Sequence, residues 1–443
     1  MATFSIENFG CRATEADAAA MRRALLDGGL THVSEHAAAD VVVLNTCTVT
    51  AAADSQAREA IRKIHRANPA ARIVVTGCYA QRVPEELASI EGVACVVGNA
   101  RQIEIPSVVR GMLEASGSGA LSLDRGPAKI LTEDIFAQST IPVAAPGPIE
   151  AGRTRPILKI QDGCNNRCSY CVIPFVRGRS RSLPPDDVIR EVRALASLGA
   201  KEIVLSGINL GSYGRDLSPR AELGEVVRRV LTETPLERLR FSSIEPQDIT
   251  DGFVSLVASS DRIAPHFHVP LQSGSDRILR AMHRWYRAQH YAQRIHLIRE
   301  RLPHAAVGAD VIVGFPGETD EDFETTLRFI GALPFTYLHV FSFSERPGTK
   351  AAGLGDAVPA PLIRMRARAL RSLAEEKAAT FRTSQAGRAL RALTLARTGD
   401  NWTEALTGNY LKVRVEGLHP ANEWRDVTIR TPRAPSSTVS RAW

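Results

Sequence analysis

Short apolar runs alternate with helix-forming stretches over residues 1–113 of the chain. The candidate strands are Thr3–Ile6, Val41–Leu44, Ile73–Val75 and Val93–Val97. The candidate helices between them are Ala16–Asp27, Asp54–Ala67 and Pro84–Ile90. Alternation of strand and helix is typical of βαβ units, which form parallel sheets. We therefore predict an N-terminal α/β domain with a mostly parallel sheet over these residues.

A second alternation of strands and helices runs over residues 153–378. Its candidate strands are Ile157–Ile160, Glu202–Leu205, Arg238–Phe241, His266–Val269, Ala309–Val313 and Tyr337–Phe341. Six strands separated by helices predict an open, partial (β/α)6 barrel. Residues 114–152, between the two alternations, are rich in Gly, Ser, Pro and Ala and lack periodicity, so we expect a linker there.

The pattern changes again towards the C-terminal end. The stretch Leu362–Gln385 predicts one charged helix. Short strand-like runs follow it, separated by turn residues such as Gly408 and Asn409. These runs are Arg391–Ala396, Glu404–Leu406, Leu411–Val415 and Asp426–Ile429. Their spacing indicates a small antiparallel β-barrel over residues 379–443.

Composition and charge narrow the class of protein. The 443 residues are 44% hydrophobic and 23% charged, which is ordinary for a globular protein and excludes a disordered or fibrous chain. The sequence has neither an apolar run of membrane-spanning length nor a signal-peptide pattern, so we expect a soluble, cytoplasmic protein without a membrane partner. The net charge is +7, and residues 364–443 contain 15 Lys or Arg against 7 Asp or Glu. A basic tail favours a polyanionic partner, although a solvated basic surface would give the same count.

Three cysteines stand close together after the first strand of the second alternation. Cys164, Cys168 and Cys171, here called the contiguous trio, have the spacing C-x3-C-x2-C. Three thiolates fit a four-iron cluster that leaves one iron open to an external ligand. Structural zinc usually takes a fourth Cys or His, which this pattern lacks. The sequence thus favours an iron–sulfur cluster, with zinc or unliganded thiols as alternatives.

Three further cysteines share one local setting although they are far apart in the sequence. Cys11, Cys47 and Cys78, here called the dispersed trio, each come directly after a candidate strand. Because the ends of parallel strands line one edge of a sheet, the three thiols can meet there. The alternative is three unrelated buried thiols. The seventh cysteine, Cys95, lies inside a strand and is expected in the core.

Taken together, the motifs resemble one family. The contiguous trio, with Tyr170 before its last cysteine, is similar to the cluster loop of radical S-adenosylmethionine (SAM) enzymes. With the dispersed trio it looks like the radical-SAM methylthiotransferases. The other matching segments are 45–49, 76–78, 207–214, 271–276, 313–319 and 343–349. The C-terminal barrel resembles the TRAM domain, an RNA-binding module of this family.

The resemblance implies that the substrate is one of three kinds. Two branches of the family thiomethylate the adenosine next to the tRNA anticodon when it bears a threonylcarbamoyl or an isopentenyl group, and a third modifies an aspartate of a ribosomal protein. Segments 338–343 and 406–410 look most like the threonylcarbamoyl branch. The other two substrates stay open, as does a non-catalytic iron–sulfur protein that binds RNA or senses redox state.

The resemblance also implies the cofactors and partners. The contiguous trio would hold a 4Fe-4S cluster that binds SAM and cleaves it to a 5′-deoxyadenosyl radical, and the dispersed trio a second 4Fe-4S cluster that delivers sulfur. The implied partners are tRNA, a sulfur donor, and an electron donor such as flavodoxin or ferredoxin.

Polar and glycine residues at the ends of the barrel strands are candidates for binding SAM. They are Gly207, Asn209, Ser243, Glu245, Gln272, Ser273, Asp310, Gly314, Gly317 and Glu318. Asp310 is expected to open the fifth barrel strand. Turn formation or helix capping is the alternative role for each of them.

Basic and aromatic residues of the tail are candidates for binding RNA. They are Arg388, Arg391, Arg397, Tyr410, Lys412 and Arg414, with Trp402 as a second stacking residue. Arg177, Arg179 and Arg181 alternate after the contiguous trio and are a further candidate for phosphate contacts, with a solvated strand as the alternative. His266 and His268 share a strand face and are expected as satisfied core histidines.

One departure from the family pattern affects the dispersed trio. The family usually has Asn three residues after the first cysteine and Glu three residues further on, whereas this chain has Thr14 and Asp17. Thr replaces the hydrogen bond of Asn only in part, and Asp is one methylene shorter than Glu. We therefore expect altered surroundings for this cluster while the ligand Cys11 is retained.

Overall fold

The structure is a computed structural model that describes residues 2–117, 127–141 and 154–430. Residues 118–126 and 142–153, which include about half of the expected linker, and the end of the tail (residues 431–443) lie outside the described residues. Within the described ranges, no helix combines the length and the apolar character needed to span a membrane.

The N-terminal region forms a parallel sheet of six strands in the order β2-β1-β3-β4-β5-β6. The strands are β1 (Thr3–Asn8), β2 (Thr31–His32), β3 (Val41–Thr46), β4 (Arg72–Gly77), β5 (Val93–Gly98) and β6 (Lys129–Leu131). The helices are α1 (Arg12–Asp27), α2 (Ala51–Ala67), α3 (Cys78–Arg82), α4 (Pro84–Ala88) and α5 (Ile105–Gly117). Apolar cores cover both faces of the sheet, which is why its central strands are continuous apolar runs.

One strand of this sheet comes from the stretch expected to be a linker. Strand β6 pairs with β5 through the partners Cys95↔Lys129 and Val97↔Leu131. At least part of residues 114–152 therefore belongs to the N-terminal sheet, while the domain boundaries themselves stay predictions. Cys95 is buried in the core as expected.

The central region has the predicted partial barrel. Its strands are β7 (Ile157–Asp162), β8 (Arg181–Ser182), β9 (Glu202–Gly207), β10 (Arg238–Phe241), β11 (His266–His268), β12 (Ala306–Val313) and β13 (Tyr337–Ser342). Its helices are α6 (Ile173–Arg177), α7 (Pro185–Ser197), α8 (Leu223–Glu233), α9 (Asp251–Ala258), α10 (Asp276–Ala281), α11 (Ala288–Arg301) and α12 (Asp320–Ala332). Parallel pairing and bridges connect β7-β9-β10-β11-β12-β13, and the short β8 pairs antiparallel with β7.

Helix α13 (Ala360–Ser384) leads into the tail, which has the predicted antiparallel architecture. Its strands are β14 (Ala389–Gly399), β15 (Trp402–Thr407), β16 (Lys412–Glu416) and β17 (Trp424–Thr428), in the order β16-β15-β14-β17. The turn between β15 and β16 contacts the barrel, because Arg240 donates to the carbonyl oxygens of Gly408 (3.0 Å) and Thr407 (3.1 Å). The tail sheet is thus anchored to β10.

Candidate functional site

The dispersed trio lies at one edge of the N-terminal sheet. Cys11 stands between β1 and α1, Cys47 follows β3, and Cys78 begins α3 directly after β4. Because β1, β3 and β4 are adjacent and parallel, their carboxyl ends place these cysteines along one edge, as the sequence predicts. Gly10 permits the close approach, since its φ is +120° and a Cβ there would lie 2.6 Å from the Cβ of Cys47.

The dispersed trio is close enough for its members to affect one another's ionisation. Burial, together with the neighbouring Cys78 and Cys11 thiols, raises the pKa of Cys47 to about 12. Burial also raises the pKa of Cys78. Buried thiols that oppose one another's ionisation become thiolates more readily beside a positive charge, which the iron of a cluster would provide. The donor set therefore fits an iron–sulfur cluster.

Arg177 connects the dispersed trio to the central region. Its Nε donates to Cys78 Sγ at 3.3 Å, and its terminal nitrogens pair with Asp17 (2.8 Å) and Asp162 (3.1 Å). Asn99 Nδ2 provides a second donor, 3.6 Å from the same sulfur. Such donors reduce the negative charge on a ligating thiolate and orient it.

The expectation that Arg177, Arg179 and Arg181 line one strand face towards RNA is wrong. Arg177 ends α6 and Arg181 begins β8, and both are buried. Their guanidinium groups face the Asp162 carboxylate, at 3.1 Å and 3.9 Å, instead of solvent. Of the three, Arg179 is exposed.

The two positions that depart from the family pattern are both buried and bonded. Thr14 Oγ1 donates to the carbonyl oxygen of Cys11 at 2.7 Å, so it supports the loop that carries this cysteine. Asp17 forms ion pairs with Lys159 and Arg177, which both belong to the central region. The shorter carboxylate is therefore part of a contact between regions, and it positions the arginine that donates to the dispersed trio.

The contiguous trio lies in an irregular loop after β7. The Cys164 N–H donates to the carbonyl oxygen of Gly178 at 3.0 Å, and the Cys171 N–H donates to that of Cys168 at 3.1 Å. Arg284 donates to Cys168 Sγ at 3.3 Å. These contacts fix the path of the loop that carries the three sulfurs.

Electrostatics show that this second donor set also fits a cluster. Burial, with Cys168 as the next cause, raises the pKa of Cys171 to about 12. Burial similarly raises the pKa of Cys164 to about 11. The Arg284 guanidinium brings a positive charge to the trio through its contact with Cys168 Sγ, but this charge is also paired with Glu245. As in the dispersed trio, the iron of a cluster would supply the positive charge that favours the thiolate form of these ligands.

The two trios border the same interface between regions. Cys78 packs against Val172 and Val176, in the segment that follows Cys171 directly. A second contact across the interface is the ion pair of Asp54 with Arg346, at 2.7 Å. Two cofactors bound at the trios would therefore be neighbours.

Four of the SAM candidates lie at the ends of β9 and β10, as predicted. Gly207 ends β9, and the Oδ1 atom of Asn209 just beyond it is buried without a hydrogen-bond partner among the described residues. Ser243 and Glu245 follow β10, where Arg284 pairs with Glu245. A buried amide oxygen that lacks a donor is suited to a ligand N–H group.

Two other SAM candidates are already bonded to the protein. Ser273 Oγ lies 3.2 Å from Thr326 Oγ1, and Glu318 pairs with Arg366 at 2.7 Å. These side chains support the loops around the predicted site, which is a structural role that also explains why polar residues stand at these positions.

The remaining SAM candidates shape the backbone near β12. Gly314 and Gly317 adopt φ values of +78° and +77° in the turn after this strand, and Gln272 has φ +67°. Asp310 does not open the strand, because β12 begins at Ala306 and continues through it. Sequence reasoning missed this start because Ala306–Gly308 has little β-branched character. As SAM ligands, all ten candidates stay predictions.

The tail places most of its predicted RNA-binding cations on the surface. Arg391, Arg397, Lys412 and Arg414 are exposed, and Arg388 is half-buried. Some of these charges are balanced locally, since Lys412 lies 3.3 Å and Arg397 3.7 Å from Glu404, and Arg391 lies 2.7 Å from Glu237. The guanidinium of Arg414 covers the ring of Trp402 at 4.4 Å.

Tyr410 is placed differently from the other RNA-binding candidates. Its ring stacks on that of His266, with 4.1 Å between the centroids, and so faces the barrel. His266 and His268 are buried as expected, and both bond to Tyr337 Oη, at 2.8 Å and 3.2 Å. They are not fully satisfied, because His266 Nδ1 and His268 Nε2 have no hydrogen-bond partner among the described residues, although His268 Nε2 lies 3.0 Å from Asp310. Tyr410 therefore joins the inner wall of the barrel.

Sequence reasoning missed several residues of that wall. Tyr337 and His339 on β13 point to the same side as Asp310, and Arg12 of α1 approaches them from the N-terminal region. The signal was present as polar residues at alternate strand positions, which in a barrel mark an inward face.

Comparison with known proteins gives this site its context. Residues 158–330 match the radical SAM superfamily, and residues 3–98 match an uncharacterised family designated UPF0004. The chain is 37% identical to "Threonylcarbamoyladenosine tRNA methylthiotransferase MtaB" of Aquifex aeolicus over 93% of this chain and 96% of that protein. It is 38% identical to "tRNA-2-methylthio-N(6)-dimethylallyladenosine synthase" of Syntrophobacter fumaroxidans over 80% of this chain and 76% of that protein.

A solved structure shares the fold at low sequence identity. The radical SAM methyltransferase TsrM of Kitasatospora setae, solved with cobalamin and a [4Fe-4S] cluster, superposes with a TM-score of 0.58 at 17% identity, over 79% of this chain and 77% of that one. The family is shown by the relatives that align over most of the chain, together with the matched radical SAM domain: the chain belongs to the radical-SAM methylthiotransferase family.

Proposed function

We propose that this chain is a radical-SAM enzyme that adds a methylthio group to C2 of N6-threonylcarbamoyladenosine, next to the anticodon of tRNA. The observation that carries the proposal is the pair of cysteine trios at one interface, in a chain whose full-length relative from Aquifex aeolicus is named for this reaction. The C2–H bond of adenine is neither acidic nor a good electrophile, so its replacement calls for radical chemistry.

The two trios have separate roles in this proposal. Each holds one 4Fe-4S cluster, and when bound these clusters and SAM supply the radical and the sulfur that the reaction needs. Arg284 and Arg177 each donate to one ligand sulfur, at 3.3 Å in both cases, and so help to set its orientation and charge. Asn209 offers its free amide oxygen to SAM.

The proposed partners follow from this chemistry. An electron donor such as flavodoxin or ferredoxin reduces the cluster at the contiguous trio, and a sulfur donor renews the sulfur at the dispersed trio. The tail, which resembles a TRAM domain, binds tRNA through its exposed cations, whose contacts with phosphates are sensitive to salt.

The test of the reaction is mass spectrometry of tRNA nucleosides from a strain that lacks the gene. We expect loss of the methylthio form of threonylcarbamoyladenosine, restored by the wild-type gene and by a Cys95→Ala control, which removes a core cysteine outside both trios. Copies carrying Cys11→Ala or Cys168→Ala should not restore it. Loss of the methylthio-isopentenyl form instead would overturn the substrate and keep the reaction. Unchanged tRNA would overturn both and turn attention to the ribosomal-protein aspartate or to a non-catalytic sensor.

The role of the tail has its own test, the salt dependence of tRNA binding by the purified protein. The double variant Lys412→Gln/Arg414→Gln should weaken binding and lower the slope of log K against log salt by about 1 to 2. The matched control is Arg190→Gln/Arg193→Gln, which removes two exposed charges from α7. Equal slopes for the two double variants would show that the tail surface does not contact phosphates.

A further inference from the structure

The inner wall of the barrel carries a continuous strip of polar and aromatic side chains. The register pairs His268 with Gly308 and Gly308 with Tyr337, so these positions lie on one face of three adjacent strands. Gly308 leaves the space that the Tyr337 ring occupies, because a Cβ there would overlap the ring. The Tyr337 hydroxyl consequently reaches His266 at 2.8 Å and His268 at 3.2 Å.

One end of the strip is an acceptor. The Asp310 carboxylate lies 3.0 Å from His268 and 3.1 Å from His339. The side chain of His339 is 52% exposed, so this end is open to a ligand.

The other end of the strip is cationic and combines two more regions of the chain. Tyr410 of the tail stacks on His266, and its hydroxyl accepts a 3.5 Å contact from the Arg12 guanidinium. Arg12 directly follows Cys11 of the dispersed trio. All three regions therefore contribute to one wall, and its cationic end adjoins the predicted sulfur-delivering cluster.

Arg12 differs from the other arginines around the interface. Arg177, Arg284 and Arg240 each pair with a carboxylate. In the described part of the chain, no carboxylate lies within ion-pair distance of Arg12, whose hydrogen bond goes to the neutral Tyr410 hydroxyl. A half-buried guanidinium without a counter-charge is costly for the protein alone, which is the expected state of a residue that receives an anionic ligand.

Among the described residues, the groups of the strip next to Arg12 are neutral or cationic, and the negative charge of the strip lies at its far end, on Asp310. Burial, and then the Arg240 and Arg12 guanidiniums, hold the pKa of His266 well below its ordinary value, so that imidazole stays neutral. Arg240 is already paired with Glu202 at 2.7 Å. Arg12 is thus a guanidinium at the end of the strip without an ion-pair partner among the described residues. Tyrosine and histidine rings lie between it and the Asp310 end.

We propose that Arg12 binds the carboxylate of an amino-acid substituent on the target adenosine, and so selects threonylcarbamoyladenosine over an adenosine with a hydrocarbon substituent. The inference rests on the proposed function and names the residue that decides its substrate branch. A planar guanidinium pairs with a carboxylate through two parallel hydrogen bonds, which an isopentenyl group cannot accept. The aromatic rings of the strip are positioned to contact the rest of the substituent.

The test compares three anticodon stem-loops that differ only in the substituent on the adenosine: threonylcarbamoyl, its neutral carboxamide analogue, and isopentenyl. For each we would measure kcat/KM for methylthio formation and the Kd of the stem-loop. Wild-type protein should prefer the acid over the carboxamide by about ten- to hundredfold, the range for a charge-assisted hydrogen-bonded pair. Arg12→Gln should abolish this preference, and Arg12→Lys should restore part of it, since lysine keeps the charge without the fork.

Two further readouts separate recognition from cluster damage, because Arg12 adjoins a cluster ligand. Iron content and SAM cleavage without substrate are therefore measured in Arg12→Gln and Arg12→Lys beside the wild-type protein, so that damage to the cluster is detected. If the iron content of Arg12→Gln falls, the inference is tested by the wild-type protein alone, through the ratio of its kcat/KM values for the acid and the carboxamide.

The outcomes distinguish the inference from the proposed function. A wild-type protein that methylthiolates the acid and the carboxamide equally well would overturn the role of Arg12 and keep the function. The same holds if Arg12→Gln, with full iron content, retains the wild-type preference. A wild-type protein that acts on the isopentenyl stem-loop and not on the acid would overturn the proposed function itself.

Discussion

The two cysteine trios present similar donors through opposite constructions. In each, one buried arginine donates to one sulfur at 3.3 Å. The contiguous trio lies in a single loop, and its arginine, Arg284, pairs with Glu245 of the same region. The dispersed trio needs three strands of a sheet, and its arginine, Arg177, comes from another region.

The two trios differ in how far their donor sets depend on contacts between regions of the chain. The loop of the contiguous trio is shaped by contacts within the central region, so that donor set is complete when this region folds. The dispersed trio acquires its guanidinium donor only when Asp17 of α1 and Asp162 of the central region meet around Arg177. The donor set of the dispersed trio is therefore coupled to the docking of two regions, and that of the contiguous trio is not.

The most direct test of the difference between the trios is to remove one ligand from each of them. Cys168→Ala should abolish SAM cleavage by the reduced protein, whereas Cys11→Ala should cleave SAM and form no methylthio product. Each variant should lose about half of the iron bound by the reconstituted wild-type protein, since each retains one of two clusters. Iron analysis and chromatography of 5′-deoxyadenosine check these outcomes.

Cys95→Ala is the matched control, because Cys95 is a buried cysteine outside both trios. It should retain full iron content and both activities. If Cys11→Ala kept the wild-type iron content, the dispersed trio would not hold a cluster, and the two-cluster proposal would fail.

A second test replaces, one at a time, the two arginines that donate to a ligand sulfur. Arg177→Gln leaves two buried carboxylates with fewer cations, so it should lower the free energy of unfolding by about 3–5 kcal/mol. Arg284→Gln should cost less, about 2 kcal/mol, because it leaves only Glu245, whose pKa burial already raises and which can take up a proton. Denaturant unfolding of the unloaded proteins measures both.

The same two variants separate the sites by spectroscopy. Arg177→Gln should alter the signal of the cluster at the dispersed trio and leave SAM cleavage intact, and Arg284→Gln should do the reverse. An unchanged signal of that cluster in Arg177→Gln would show that the dispersed trio does not depend on the arginine brought to it by the docking of regions.

The sequence predicts what is local and misses what depends on distant partners. Apolar runs locate four of the six strands of the N-terminal sheet and the six parallel strands of the partial barrel, and cysteines directly after strands predict the edge where they meet. The burial of Arg177 is not predictable in this way, because its partner Asp17 is 160 residues away. Strand β6 is not predicted for a similar reason. Its three residues are too few to show a periodic apolar pattern, and the strand is defined by its pairing with β5. The inward position of Tyr410 depends on the stacking of its ring on His266.

The smallest change tests whether Asp17 is fitted to this interface. Asp17 is buried, and its two carboxylate oxygens are divided between Lys159 and Arg177. Asp17→Glu restores the residue usual in the family, yet it inserts a methylene into a filled site, which typically costs about 1–3 kcal/mol. Asp17→Asn keeps the size and removes the charge, so it should cost at least as much while Lys159 and Arg177 lose one partner carboxylate. If Asp17→Glu proved as stable as the wild type and gave the same cluster spectrum, the interface would tolerate either length. The dependence of the dispersed trio would then rest on the charge at this position and not on the fit of the shorter side chain.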